Sequence, residues 1–320
     1  MLRFLLRLLL ILVLLAAVAL AGFRILADRR ETADLSAAPA TGSFIETQST
    51  SFFAQAAGPA EATPVLLAHG TAAWSGFWSR EVTYLASKGY NAIAFDMPPF
   101  GYSERPANGD YSRPAQAKRI LDLARAQPRP PIMVAHSFGA AAATEAVLRD
   151  PRSFAGLIIV NGAIGMGTKP PADLPLPLRP RTLREAALAA TATNPLATKV
   201  LLRQLIHRKE AATDPLVSVL QTPQRRQGTT PAYADWLPSL LAPTPTSLSL
   251  DPVHYANLPI PVRIIWGDKD TVTPPEQAEA LAEAFGDIDV RYLKDVGHIP
   301  HIEAPEEFAA LLLELLREMD

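Results

Sequence analysis

The chain has 320 residues, is 48% apolar and carries a formal charge of −2. That length fits one large α/β domain with an insertion, and the near-neutral balance gives no electrostatic basis for binding nucleic acid. There is no cysteine, which excludes disulfides, thiol catalysis and cysteine-based metal sites.

Residues 1–30 differ in kind from the rest. Arg3 and Arg7 precede 8–23, a run without a charge, and Arg24, Arg29 and Arg30 follow it. The run is slightly shorter than the roughly 20 residues that span a bilayer, but apolar residues at 4–6 and 25–27 extend it, and arginines reach past an apolar stem. The expectation is an uncleaved membrane anchor that engages the bilayer through residues 4–27. The alternative is a signal segment cleaved near Ala21, since Ala19-Leu20-Ala21 precedes Gly22. Both place the remainder outside the cytoplasm when the N-terminus stays inside, although basic residues on both flanks set that orientation weakly. Residues 31–43 read as a polar, alanine-rich linker.

Short, partly alternating runs at 44–50 and 51–56, ending at Gly58-Pro59, predict an antiparallel hairpin. Residues 64–68 form a compact apolar strand that runs into His69-Gly70-Thr71. Helical spacing at 78–88 stops at Gly89, and the next buried strand, 91–95, ends in Asp96. An amphipathic helix at 114–126 leads to a strand at 132–135 and then to His136-Ser137-Phe138-Gly139, followed by an alanine-rich helix up to Arg149. A serine between a buried strand and a helix, with Ala135 and Gly139 two positions either side, fits a nucleophile elbow. A capping serine in an ordinary strand-turn-helix would use the same residue types. Alternation of strands with helices of ten or more residues predicts a mostly parallel sheet covered by helices on both faces. Chemistry in such sheets gathers at the carboxyl ends of the strands. His69, Asp96 and Ser137 all stand at such ends.

On three motifs the chain resembles the α/β-hydrolase superfamily, in the branch with a helical lid inserted late in the sheet. They are His69-Gly70, Asp96-x-Pro98-x-x-Gly101-x-Ser103 and the Ser137 elbow. Two departures stand out: Ala135 and Pro99 occupy positions where the family usually has glycine. The resemblance covers a core of 44–163 and 257–320. Between its halves, 164–256 reads as the lid, bounded by proline-rich stretches at 169–180 and 243–261, with helices at 182–193, 196–208, 216–220 and 233–241. In the family such a lid selects the substrate, and Leu201, Leu205, Leu216, Val217, Val219 and Leu220 are its candidate lining residues.

After the lid, a strand at 262–266 precedes Gly267-Asp268-Lys269-Asp270. A helix at 274–285, a strand at 288–293 and Gly297-His298 follow, and a helix at 305–318 ends the chain. The order Ser137, Asp270, His298 is that of a Ser-His-Asp triad on this fold. Histidine takes the serine proton, and the carboxylate fixes the histidine tautomer and stabilises the imidazolium. Gly297-His298-x-x-x-x-Glu303-x-Pro305 is similar to the family's terminal motif. Asp268 is read as a brace of its turn, His301 as a loop or pocket-rim residue, and His136 as packing beside the elbow. By resemblance, the backbone N–H groups of Thr71 and Phe138 form the oxyanion hole. Relatives with dehalogenase or epoxide hydrolase activity use aspartate where this chain has Ser137. The resemblance thus implies a serine hydrolase of carboxylic esters or related small acyl substrates, with no metal or organic cofactor, and the adjacent anchor points to lipid-like ones. A carbon–carbon bond hydrolase or a cofactor-free perhydrolase would use the same triad. A ligand-sensing module with negligible turnover is the alternative from another class.

Overall fold

The computed structural model describes residues 1–169, 171 and 173–319. Pro170 of the first proline-rich stretch and Asp320 at the end of the core lie outside the described residues. The N-terminal run is one helix, α1 (Leu2–Arg30), of 29 residues; at 1.5 Å per residue it is about 43 Å long. It is long and apolar enough to cross a membrane.

Strands β1 (Ser43–Glu46) and β2 (Ser51–Ala57) form the expected antiparallel hairpin, with Phe44 opposite Phe53. Thr47 closes its turn through its hydroxyl, which donates to the Thr50 carbonyl at 2.7 Å. Then follow β3 (Pro64–Ala68), α2 (Ser79–Ser87), β4 (Asn91–Phe95), α3 (Arg113–Arg125), β5 (Ile132–His136), α4 (Phe138–Arg149) and β6 (Gly156–Val160). After the insertion come β7 (Val262–Gly267), α9 (Pro275–Ala284), β8 (Val290–Leu293), α10 (Pro300–Glu303) and α11 (Pro305–Arg317). The eight strands make one sheet in the order β1-β2-β4-β3-β5-β6-β7-β8. β2 is antiparallel to its neighbours β1 and β4, and every pairing beyond β4 is parallel.

Strand alternation divides the core in two. Leu66, Met133, Ala135 and Ile159 point toward α3, α4 and α9, where Ile120, Ala142 and Leu281 meet them. Val65, Leu67, Val134 and Ile158 point the other way, toward Leu85 of α2 and Phe308 and Leu312 of α11. Burial on both faces explains why the central strands read as continuous apolar runs.

The insertion holds α5 (Arg181–Ala190), α6 (Pro195–Leu205), α7 (Asp214–Gln221) and α8 (Thr229–Leu241). Two of these helices end earlier than their periodicity predicts. α5 stops at Ala190 because Asn194 starts the next helix, accepting from the Leu196 amide at 3.0 Å. α6 stops at Leu205 because its last carbonyls turn to the core: the His298 amide donates to the Leu205 carbonyl at 3.2 Å. The next free amides, of His207 and Arg208, donate to Glu303 at 2.7 and 2.9 Å.

The end of α1 packs on the insertion. Ala27 is fully buried, Arg24 donates to Glu185 at 2.9 Å, and Arg30 donates to the Thr193 carbonyl at 3.0 Å. The segment read as a linker starts as a docked one. Glu31 is buried, and its carboxylate accepts from the amide and the hydroxyl of Thr230. Ala33 adds a parallel bridge to Arg226.

Candidate active site

β5 delivers the chain into Ser137, which sits at φ 52°, ψ −122° between the strand and α4. A positive φ is strained for a residue with a Cβ, and here it lifts the hydroxyl clear of the sheet. The turn is tight on the far side: a Cβ on Gly139 would lie 2.6 Å from the His69 carbonyl oxygen. It is looser on the near side, where Ala135 lies beside Ala68 of β3, so the extra methyl meets another small residue.

His298 follows β8, and Asp270 lies in the turn after β7. The His298 Nε2 is 2.8 Å from the Ser137 Oγ, and its Nδ1 is 2.8 Å from the Asp270 Oδ2. A carboxylate only accepts, so Nδ1 carries the proton and Nε2 is left as an acceptor for the serine hydroxyl. The Asp270 carboxylate also accepts from the Asn161 side chain and the Thr273 hydroxyl, both at 2.6 Å, and from the amides of Val272 and Thr273. Burial works against its charge, but the bonds from His298, Asn161 and Thr273 outweigh burial and hold its pKa down at about 2. Asp268, the residue immediately after β7, instead accepts from the Val296 amide at 3.3 Å and braces the turn.

The loop after β3 closes over the serine. A Cβ on Gly70 would stand 2.8 Å from the His136 Nδ1 and 3.1 Å from the Ser137 Cβ. The amides of Thr71 and Phe138 have no acceptor among the described residues. His69 fixes that loop: its Nε2 accepts from the Met97 amide at 2.9 Å, so its Nδ1 donates to the Gly70 carbonyl at 2.8 Å. Burial keeps this ring neutral, with a pKa near 4. Asp96 braces the same region by accepting from the amides of Ser75 and Tyr102 at 2.6 and 2.7 Å. Gly101, at φ 60°, has no room for a Cβ against that carboxylate.

Two histidines lie behind His298. The His136 Nε2 donates to the His298 carbonyl at 2.8 Å, and burial drives its pKa to about 3. It is therefore neutral and holds the main chain of its neighbour. His301 is buried, contrary to its reading as a rim residue. It stacks on Trp78 at 4.0 Å, and neither ring nitrogen has a partner among the described residues. Among the described residues, no group of three His, Asp or Glu side chains is arranged to hold a metal ion.

Two residues support the site in roles that the sequence alone did not assign. Asn161 ends β6 at φ 45° and links the Asp270 carboxylate to the Gly297 carbonyl. Its place at a strand's carboxyl end is the signal that pointed to it. Glu303 is buried and accepts from the amides of Gly297 and Ile299, either side of His298.

A cavity of about 260 Å³ opens above Ser137. Leu201, Leu202, Leu205 and Leu220 of the insertion line it, together with Phe77, Val272 and Ile299 of the core. Leu216, Val217 and Val219 instead pack α7 against its neighbours. Among the described residues, the polar lining outside the serine–histidine floor is Thr71, Thr198, Gln204 and Gln224, with no charged side chain.

Comparison with known proteins agrees with this architecture. The chain is 27% identical over 265 residues to 2-hydroxymuconate semialdehyde hydrolase of Pseudomonas putida, covering 81% of this chain and 89% of that one. It is 27% identical over 260 residues to Lipase 3 of Moraxella sp. (strain TA144), covering 77% and 75%. Among solved structures, a membrane phospholipase A superposes with a TM-score of 0.66 at 23% identity, over 100% of this chain and 99% of that one. An esterase from Thermogutta terrifontis gives 0.68 at 22% identity, over 88% and 99%. A model of the alpha/beta hydrolase family matches residues 65–311. The chain is an enzyme belonging to that family.

Proposed function

We propose that the protein is a membrane-anchored serine hydrolase of carboxylic esters or related acyl compounds, held by α1. The observation that carries this reading is the chain of 2.8 Å contacts from Ser137 through His298 to Asp270 at the floor of an apolar cavity. Ser137 Oγ attacks the carbonyl carbon while its proton passes to His298 Nε2, and Asp270 stabilises the imidazolium. The Thr71 and Phe138 amides, free of other acceptors among the described residues, receive the oxyanion. His298 returns the proton to the leaving alcohol, and water then releases the acyl group by the same steps in reverse. Strained backbone at the nucleophile and free amides beside it are costly features for a module that only binds. The length and apolar surface of α1 support the anchor, with the hydrolase domain on the extracytoplasmic side.

Carbon–carbon bond hydrolysis, or action on a muconate semialdehyde like that named for the Pseudomonas relative, is less well supported. A muconate carries a carboxylate, and the cavity above Ser137 offers it no lysine or arginine. The lipase, esterase and phospholipase relatives suit the apolar lining better.

The test uses full-length protein in detergent micelles. A fluorophosphonate probe should label it, p-nitrophenyl esters should be turned over, and Ser137→Ala should abolish both. Labelling that survives in Ser137→Ala would refute the assignment.

A further inference from the structure

A second cavity, of about 400 Å³, lies where the end of α1 meets the insertion. Its lining includes Arg29 and Arg30 of α1 and Arg225 from the turn after α7, with no carboxylate among the described residues. Arginines at the end of a helix have an ordinary explanation in the helix dipole and in flanking an apolar run. Arg225 has neither, since it arrives from a different element nearly two hundred residues later. The side chains of Arg29 and Arg225 have no hydrogen-bond or ion-pair partner among the described residues. Arg30 is spent only on the neutral Thr193 carbonyl. The nearby acids are otherwise engaged: Asp28 pairs with Arg24, and Glu31 is turned into the interior onto Thr230. Three cations thus face one concave space with no anion to balance them.

The position of this space narrows its ligand. It opens at the last turn of α1, one turn beyond the charge-free run, where lipid headgroups would lie if α1 spans a bilayer. It also abuts the cavity above Ser137. Gln224, only 8% exposed, lines both cavities, and the adjacent residues Ala192 and Thr193 line one each.

We infer that the arginine-lined cavity binds a phosphate group, and that the phosphate is that of a membrane phospholipid whose acyl chain reaches toward the neighbouring cavity. Guanidinium groups match phosphate oxygens in geometry and charge, and Thr32 and Gln221 line the same space. The location rests on the proposed membrane anchor.

The test is lipid binding by full-length Ser137→Ala protein in detergent micelles, followed by native mass spectrometry, so that no lipid is consumed. Dioleoylphosphatidylglycerol should bind at least tenfold tighter than dioleoylglycerol, which has the same chains and no phosphate. Adding Arg29→Ala and Arg225→Ala should reduce phosphatidylglycerol binding at least tenfold and leave dioleoylglycerol binding where it was. Adding Arg152→Ala and Arg317→Ala, which remove the same charge elsewhere, should change neither. Equal phosphatidylglycerol binding with and without the Arg29 and Arg225 substitutions would overturn the site. Displacement of the lipid by equimolar glycerol 3-phosphate would overturn the lipid as the source of the phosphate. Either failure leaves the fluorophosphonate result, and with it the hydrolase reading, untouched; labelling that persists in Ser137→Ala would do the reverse.

Discussion

Replacing Glu303 by glutamine tests whether a single carboxylate holds both the His298 loop and the seam with the insertion. One oxygen of Glu303 accepts from the amides of Gly297, His207 and Arg208, and the other from the amide of Ile299. Glutamine can keep its oxygen where three donors converge. Its NH2 must then face the Ile299 N–H, donor against donor. Leaving that buried amide unpaired costs about 1–3 kcal/mol, and the other three bonds lose the strengthening that a full negative charge provides. Glutamine avoids the cost of burying a charge, which offsets part of this. The expected net loss is about 3 kcal/mol in urea unfolding followed by tryptophan fluorescence, or about 4 °C in Tm for a chain of this size. Because Gly297 and Ile299 flank His298, kcat on a p-nitrophenyl ester should fall with little change in KM. A Glu303→Gln protein within about 0.5 kcal/mol of the parent, with kcat intact, would show that the four bonds do not act as argued.

Asp270→Asn should leave the fold in place and lower kcat by about 10⁴, because the amide lets the imidazole adopt the wrong tautomer; a loss under tenfold would remove Asp270 from its role. Gly139→Ala pushes a methyl to 2.6 Å from the His69 carbonyl and should cost about 1–3 kcal/mol, read from the unfolding midpoint. Glu81 is buried with an unpartnered oxygen, and burial raises its pKa to about 8. A raised carboxylate pKa favours the folded state below the unfolded value and loses that advantage as pH climbs toward 8. Glu81→Gln should therefore gain up to about 3 kcal/mol at pH 7 and almost nothing at pH 4. A gain that does not depend on pH would contradict this. His69 and His136 have the opposite sign: their folded pKa values, about 4 and 3, lie below the unfolded one. Their contribution is complete above about pH 6.5 and is lost as pH falls through the folded values, steepening acid unfolding in a stability-versus-pH series.

The amino-acid sequence reveals some of these features and hides others, for identifiable reasons. Ser137, Asp270 and His298 are legible because each stands just past an apolar run, and a parallel sheet brings all such positions to one rim. Contacts that act across long sequence gaps are hidden. Glu303 reaches His207, 96 residues away, and Glu31 reaches Thr230, 199 residues away. No local pattern encodes either contact, so an alanine-rich, polar stretch read as a linker when it begins as a docked segment. Helix ends suffered similarly. The apolar spacing of α6 continues to 208, but competition for its last carbonyl and the following amides comes from His298 and Glu303. His301 was misjudged because histidine carries no fixed polarity. Held neutral by burial, it packs as an aromatic ring against Trp78.

The bond from the His298 amide to the Leu205 carbonyl makes the roof of the cavity part of its machinery. Leu205 is at once a wall of the cavity and the last residue of α6. Any movement that swings this end of α6 outward drags on the main chain of the residue that must face Ser137. On the proposed mechanism, widening the entrance from that side therefore pulls the proton acceptor out of register with Ser137. Under that mechanism the enzyme is disarmed while it admits its substrate and rearmed as it shuts.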